Sequence, residues 1–105
     1  MPVTRLVDLA RVVRSKNAGA LLLTIDLMFD DRARFARARD SGALTPPVLA
    51  PLFQVGEDDI AVFHCDEALA IKITLPRRVR SGDAGDADVY GAQQYAPLLA
   101  IDLPD

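Results

Sequence analysis

The chain has 105 residues, of which half are hydrophobic and 26% are charged, and its net charge is −3. This composition predicts one globular domain over residues 1–105 and excludes an intrinsically disordered chain. The charge argues against non-specific binding to nucleic acid, which needs an excess of Lys and Arg. The single cysteine cannot form an internal disulfide, and we find neither a signal peptide nor an apolar run long enough to cross a bilayer. We therefore expect a cytoplasmic protein without membrane association.

The first part of the chain predicts a turn followed by a strand. Residues 4–14 fit a helix or a strand equally well, because their apolar side chains match both periodicities. Residues 16–19 (KNAG) have the composition of a turn, since Asn and Gly tolerate positive φ. Residues 21–29 (LLLTIDLMF) alternate apolar side chains onto one face, which predicts a strand with a buried inner face.

Two short helices are predicted in the middle of the chain. Asp30 or Asp31 can cap the first, which runs to about Asp40. The second has Thr45 as its N-cap, a proline in its first turn and Gly56 at its end. Its predicted buried stripe consists of Val48, Leu49, Leu52 and Phe53.

The second half of the chain predicts a hairpin, a loop and a last strand. Residues 60–65 form its first strand, and the alternation in residues 69–75 predicts a second strand that stops at Pro76. Residues 77–88, rich in Arg, Gly, Asp and Ser, predict a long mobile loop, and residues 99–103 a short final strand. Together, these strands and helices predict an α+β fold, with one sheet and two short helices on one face.

The pair His64–Cys65 invites interpretation as a catalytic base and nucleophile. Consecutive residues of a strand point to opposite faces, so these two side chains cannot meet. We expect one of them in the core and the other exposed, and we keep His64 as a candidate at an interface or pocket rim.

The sequence contains no convincing motif for a metal or cofactor site. The acidic loop 83–88 superficially resembles a calcium loop, but Tyr90 and Pro97 stand where an EF-hand needs ligands. One His and one Cys do not make a zinc site, and no glycine-rich phosphate-binding motif is present. We expect no metal and no cofactor.

Two polar stretches have compositions that a small hydrophobic core does not require, which makes them candidate functional sites. Arg14, Ser15, Lys16, Asn17 and Gly19 combine a cation, a hydroxyl, an amide and exposed backbone N–H groups, which can hold an anion such as a carboxylate or phosphate. A tight turn with a residue at positive φ is the alternative interpretation.

The second stretch is a connector with two tyrosines and two glutamines. Tyr90, Gln93, Gln94 and Tyr95 are residue types that suit an interface or a pocket rim. Alternatively, the tyrosines attach the last strand to the core.

The segments RSKNAG, LTIDLMF, AIKITLP and SGDAGDADVYGAQQYAPLL together resemble a family of small bacterial proteins of unknown function. Members of that family are typically encoded beside, or fused to, proteins similar to the acyclic terpene utilisation protein AtuA. The chain is also similar to the C-terminal domain of AtuA-like proteins, since residues 6–10 (LVDLA), Arg14 and Ser15 match its opening motif. Residues 16–19 depart from that motif, which has an acidic GDKGD turn there.

These resemblances imply a ferredoxin-like antiparallel sheet and favour a strand for residues 4–14. They also imply a role in the breakdown of branched acids, often as acyl-CoA thioesters. The chain would be the small subunit of a two-component AtuA-like enzyme of hydratase or hydro-lyase type, with no catalysis on its own. The alternative is a non-catalytic interaction or scaffold domain that forms a homo-oligomer through an exposed sheet edge.

Overall fold

The computed structural model describes residues 3–19, 22–76, 98 and 101–104. Six strands and three helices lie along this part of the chain. The strands are β1 (Val3–Arg5), β2 (Val12–Gly19), β3 (Leu22–Met28), β4 (Ala61–Cys65), β5 (Ala70–Pro76) and β6 (Asp102–Pro104). The helices are α1 (Leu6–Leu9), α2 (Arg32–Asp40) and α3 (Pro46–Phe53), with a 3-10 turn at Glu57–Asp59.

Four of the strands form an antiparallel sheet in the order β2-β3-β5-β4. Two hairpins, β2–β3 and β4–β5, therefore meet through β3 and β5, which become the inner strands. β1 and β6 form a second, two-stranded antiparallel sheet in which Thr4 lies opposite Leu103. The edges of the larger sheet are β2 and β4.

The core lies between one face of the larger sheet and the helices. The inner strands supply alternate apolar side chains to a single buried cluster, which the helices complete. The cluster includes Leu23, Ile25, Leu27, Ile71, Ile73 and Leu75 from the sheet and Leu6, Phe35, Leu49 and Phe53 from the helices. Phe35 is fully buried, and its ring meets the edge of Phe29 at a centroid distance of 6.0 Å.

Side-chain hydrogen bonding fixes the start of α2 but not of α3. The carboxylate of Asp31 accepts a hydrogen bond from the backbone N–H of Arg34 at 2.8 Å, so the predicted cap is present. Thr45 occupies the N-cap position of α3, but its hydroxyl donates to the carbonyl of Gly42 at 3.0 Å. Pro46 at the first position of α3 has no N–H that would need a partner.

The α+β class and the antiparallel sheet packed with short helices are confirmed, and the arrangement is compatible with a ferredoxin-like fold. In the described part of the chain, three helices are present where two were predicted, and the strands form two sheets instead of one. The additional one, α1, is a single turn within the ambiguous residues 4–14. That segment divides into strand, helix and strand, so the uniform strand that the resemblance favoured is wrong.

Three local expectations were also wrong. Residues 16–19 continue β2 instead of forming a turn, because they pair with β3 through a register shift between Asn17 and Gly19. Val48 is 41% exposed, since α3 buries Leu49 together with the small Ala50 one position further on. The helix ends before Gly56, with Gln54 in the left-handed region.

Some predictions concern residues outside the described part of the chain. They are the predictions for the loop at 77–88, for the connector with two tyrosines and two glutamines, and for Leu99. Within the described residues, no helix has the length and apolar character needed to span a membrane.

Candidate functional site

Strand alternation divides the predicted anion-binding residues between the two faces of the larger sheet. Arg14 and Lys16 are exposed on the face opposite the helices, which we call the open face. Ser15 is 5% exposed and lies, with Asn17, on the side of the core. The five residues therefore do not form one turn, and only the two cations share a surface.

A charged row crosses the open face from edge to edge. The register places Arg14 opposite Asp26, Asp26 opposite Lys72, and Lys72 opposite Phe63. The Nε atom of Arg14 lies 3.6 Å from Oδ2 of Asp26, which is only 8% exposed. Neighbouring strands lie about 4.8 Å apart, so this row brings side chains from four strands within reach of one small molecule.

An apolar row lies next to the charged row on the open face. Met28 is opposite Ala70, and Ala70 is opposite Cys65. Ala68, from the turn between β4 and β5, lies at the end of this row, and Phe63 borders it with 56% of its surface exposed. The two rows line an open depression of about 620 Å³.

The charge of this depression is positive although the chain is acidic. Its lining contains three cations (Arg14, Lys16 and Lys72) and one carboxylate (Asp26), a formal balance of +2. Within the described residues, no carboxylate lies within ion-pair distance of Lys16 or Lys72. The two ammonium groups are therefore available to an anion.

His64 and Cys65 point to opposite faces of β4, which agrees with the argument against a catalytic pair. The expectation that one of them is in the core is wrong, because β4 is an edge strand and both residues are exposed. Cys65 lines the depression, whereas His64 lies on the side of α2 and does not. A role for His64 at an interface stays a prediction.

The remaining sequence-based candidates lie outside the described residues. These are Tyr90, Gln93 and Gln94, together with the acidic loop at 83–88. In the described ranges, no group of three or more His, Cys, Asp or Glu side chains is placed to hold a metal ion.

Sequence reasoning did not single out six of the nine residues that line the depression, and three of these six are Asp26, Lys72 and Phe63. Asp26 stands out in retrospect as a carboxylate within an otherwise apolar strand, and Lys72 as a cation between two buried isoleucines. Phe63 carries no comparable pattern. The three could be brought together only with the strand register, which the sequence does not provide.

The chain was compared with protein families, curated proteins and solved structures. A family model described as a domain of unknown function, DUF4387, matches residues 6–102. The searches of curated proteins and of solved structures found no match. Because the family model spans nearly the whole sequence, the chain belongs to the DUF4387 family.

Proposed function

We propose that the chain is the small subunit of a two-component enzyme whose large subunit is AtuA-like and acts on carboxylate or acyl-CoA substrates. The observation that carries this proposal is the open face of the sheet, where Lys16 and Lys72, which have no ion-pair partner among the described residues, border exposed apolar side chains. The similarity of the sequence to proteins associated with AtuA supplies the identity of the partner and the substrate class.

The composition of the open face supports a binding role over a purely solvated surface. An antiparallel sheet with one face in water normally carries polar residues there. This face carries polar residues too, but Phe63, Met28 and two alanines lie among its three cations. Exposed aromatic side chains next to cations are typical of surfaces that bind a partner or a ligand.

The three cations of the depression are suited to binding an anion. An ammonium or guanidinium group stabilises a carboxylate or a developing oxyanion without exchanging a proton. In a hydratase or hydro-lyase reaction, the open face would therefore hold the anionic part of the substrate while the large subunit supplies the acid and base.

The partner is tested by purifying the tagged protein from its own host and identifying the proteins that accompany it by mass spectrometry. We expect an AtuA-like chain at one-to-one stoichiometry. Recovery of the chain alone or with itself would contradict the subunit role.

The role of the cations is tested by substituting Lys16→Ala in that complex. We expect loss of the activity of the complex with an unchanged circular dichroism spectrum, because Lys16 is exposed and has no ion-pair partner among the described residues. The matched control is Arg32→Ala, an exposed cation on α2 remote from the open face. Unchanged activity of the Lys16 variant would contradict the anion-binding role.

A homo-oligomeric scaffold is the second candidate function. It is favoured by β4, an edge strand in which Phe63, His64 and Cys65 are all exposed. Such an edge can pair with the same edge of a second copy. Light scattering after size-exclusion chromatography would then show a dimer that His64→Pro, which removes a backbone N–H from the edge, returns to a monomer.

A further inference from the structure

We propose that the depression on the open face binds a free organic carboxylate with a short aliphatic tail, and not the coenzyme A thioester of that acid. This inference deepens the proposed function and rests on it for the role of the open face. It concerns the described side chains of this chain alone, and it can therefore be tested without the partner.

The depression changes from polar to apolar along the strands. Lys16 lies two residues beyond Arg14 on β2, and Asp26 and Lys72 share the row of Arg14. Met28 and Ala70 occupy the next row in the other direction. Because residues two apart on a strand are separated by about 6.8 Å, the cations and the apolar row are adjacent.

This spacing requires an anion that is attached directly to an apolar group. Asp26 lies between Arg14 and Lys72 in the sheet. A ligand carboxylate would therefore contact the outer ends of these two long side chains, above Asp26, with its alkyl chain over Met28 and Ala70. In a coenzyme A thioester, the carboxyl group has become a neutral thioester, and the phosphates are separated from the acyl chain by the pantetheine arm. The thioester therefore offers no negative charge where the cations lie.

The cationic group includes a side chain that suits a carboxylate in particular. The guanidinium of Arg14 is planar and can bind both oxygens of a carboxylate. Among the described residues, the ion-pair partner of this guanidinium is Asp26 at 3.6 Å, and the remaining N–H groups can bind a ligand.

The volume of the depression also fits a small ligand. Its 620 Å³ lies within the range of about 300–1,000 Å³ that is usual for small-molecule sites. The site is open to solvent, so we expect weak binding by the isolated chain, with a dissociation constant on the order of 1 mM.

The test is an amide-resolved NMR titration of the full chain with hexanoate, acetate, hexan-1-ol and hexanoyl coenzyme A. We expect hexanoate to shift resonances of β2, β3 and β5 on the open face, and each of the other three ligands to shift them far less. Lys72→Ala should weaken hexanoate binding roughly fivefold, the effect of losing one exposed charge pair. Arg32→Ala should leave hexanoate binding unchanged.

Several results would overturn the proposal. Equal binding of hexan-1-ol would show that the cations take no part, and equal binding of acetate would exclude the apolar row. Tighter binding of the thioester would reverse the proposed preference. Shifts of the same resonances with protein concentration alone would assign the open face to a second copy of the chain. The purification from the host tests the subunit role, and the NMR titration tests the ligand. Either proposal can therefore fail without the other.

Discussion

The guanidinium group of Arg39 joins α2 to the turn between β4 and β5. Its Nε donates to Oδ1 of Asp40 at 2.9 Å, and its Nη1 lies 3.5 Å from Oδ2 of Asp66 in the turn between β4 and β5. The guanidinium carbon lies 5.4 Å from the centroid of the buried ring of Phe35. The end of α2 is thereby connected to the hairpin that carries His64.

We expect Arg39→Ala to raise the pKa of Asp40. The hydrogen bond from Arg39 lowers the pKa of the Asp40 carboxyl below its ordinary value, and the charges of Arg39 and His64 act in the same direction. An NMR titration of the Asp40 carboxyl carbon in both proteins measures the difference. An identical pKa in the two proteins would show that the hydrogen bond is absent in solution.

The sign of the pH dependence follows from that direction. A carboxyl whose pKa is lower in the folded state than in the unfolded state stabilises the fold above its unfolded pKa of about 3.9. This contribution is lost as the pH falls from there through the folded pKa. Because Asp40 is exposed, the contribution is small and decreases with salt.

At the scale of elements, periodicity and capping made some segments predictable. β5 alternates strictly, and the inner faces of β3 and β5 are buried as expected. β3 also buries Thr24 and Asp26 on its other face. α2 begins directly after its acidic cap. In these segments, the structure that the local sequence pattern favours is also the one that buries the apolar side chains in the core.

β2 was misjudged because it is an edge strand. After Val12 and Val13 its sequence is RSKNAG, with polar residues on both faces, and backbone pairing with β3 holds it in place. A local pattern cannot show such pairing. The same limit applied to the candidate site, since Arg14 was found from the sequence while its neighbours Asp26 and Lys72 come from other strands.

We expect Gln54→Gly to stabilise the protein by roughly 0.5–1 kcal/mol. Gln54 follows α3 with φ of 59°, a conformation that glycine adopts without steric cost, and its side chain is exposed. Urea unfolding followed by circular dichroism measures the change. Gln54→Ala is the control, which keeps the steric cost and should not stabilise the protein; destabilisation by glycine would contradict this account of the helix end.

At the scale of the whole molecule, the larger sheet has two unlike faces. One packs against the helices in a continuous apolar core, and the other presents three cations, a buried carboxylate and an exposed aromatic ring. Phe63 and His64 are neighbours in sequence and lie on different faces of β4. This pair therefore reports separately on the two sides of the sheet.

Hydroxyl-radical footprinting of the isolated chain and of the complex recovered from its host tests most directly whether the open face is the functional surface. Phe63 is more than half exposed and Met28 is partly exposed, so radicals reach both in the isolated chain. We predict that oxidation of Phe63 and Met28 falls severalfold in the complex while oxidation of His64 changes little. Protection of His64 with unchanged oxidation of Phe63 would place the partner on the other side of the sheet and contradict the account.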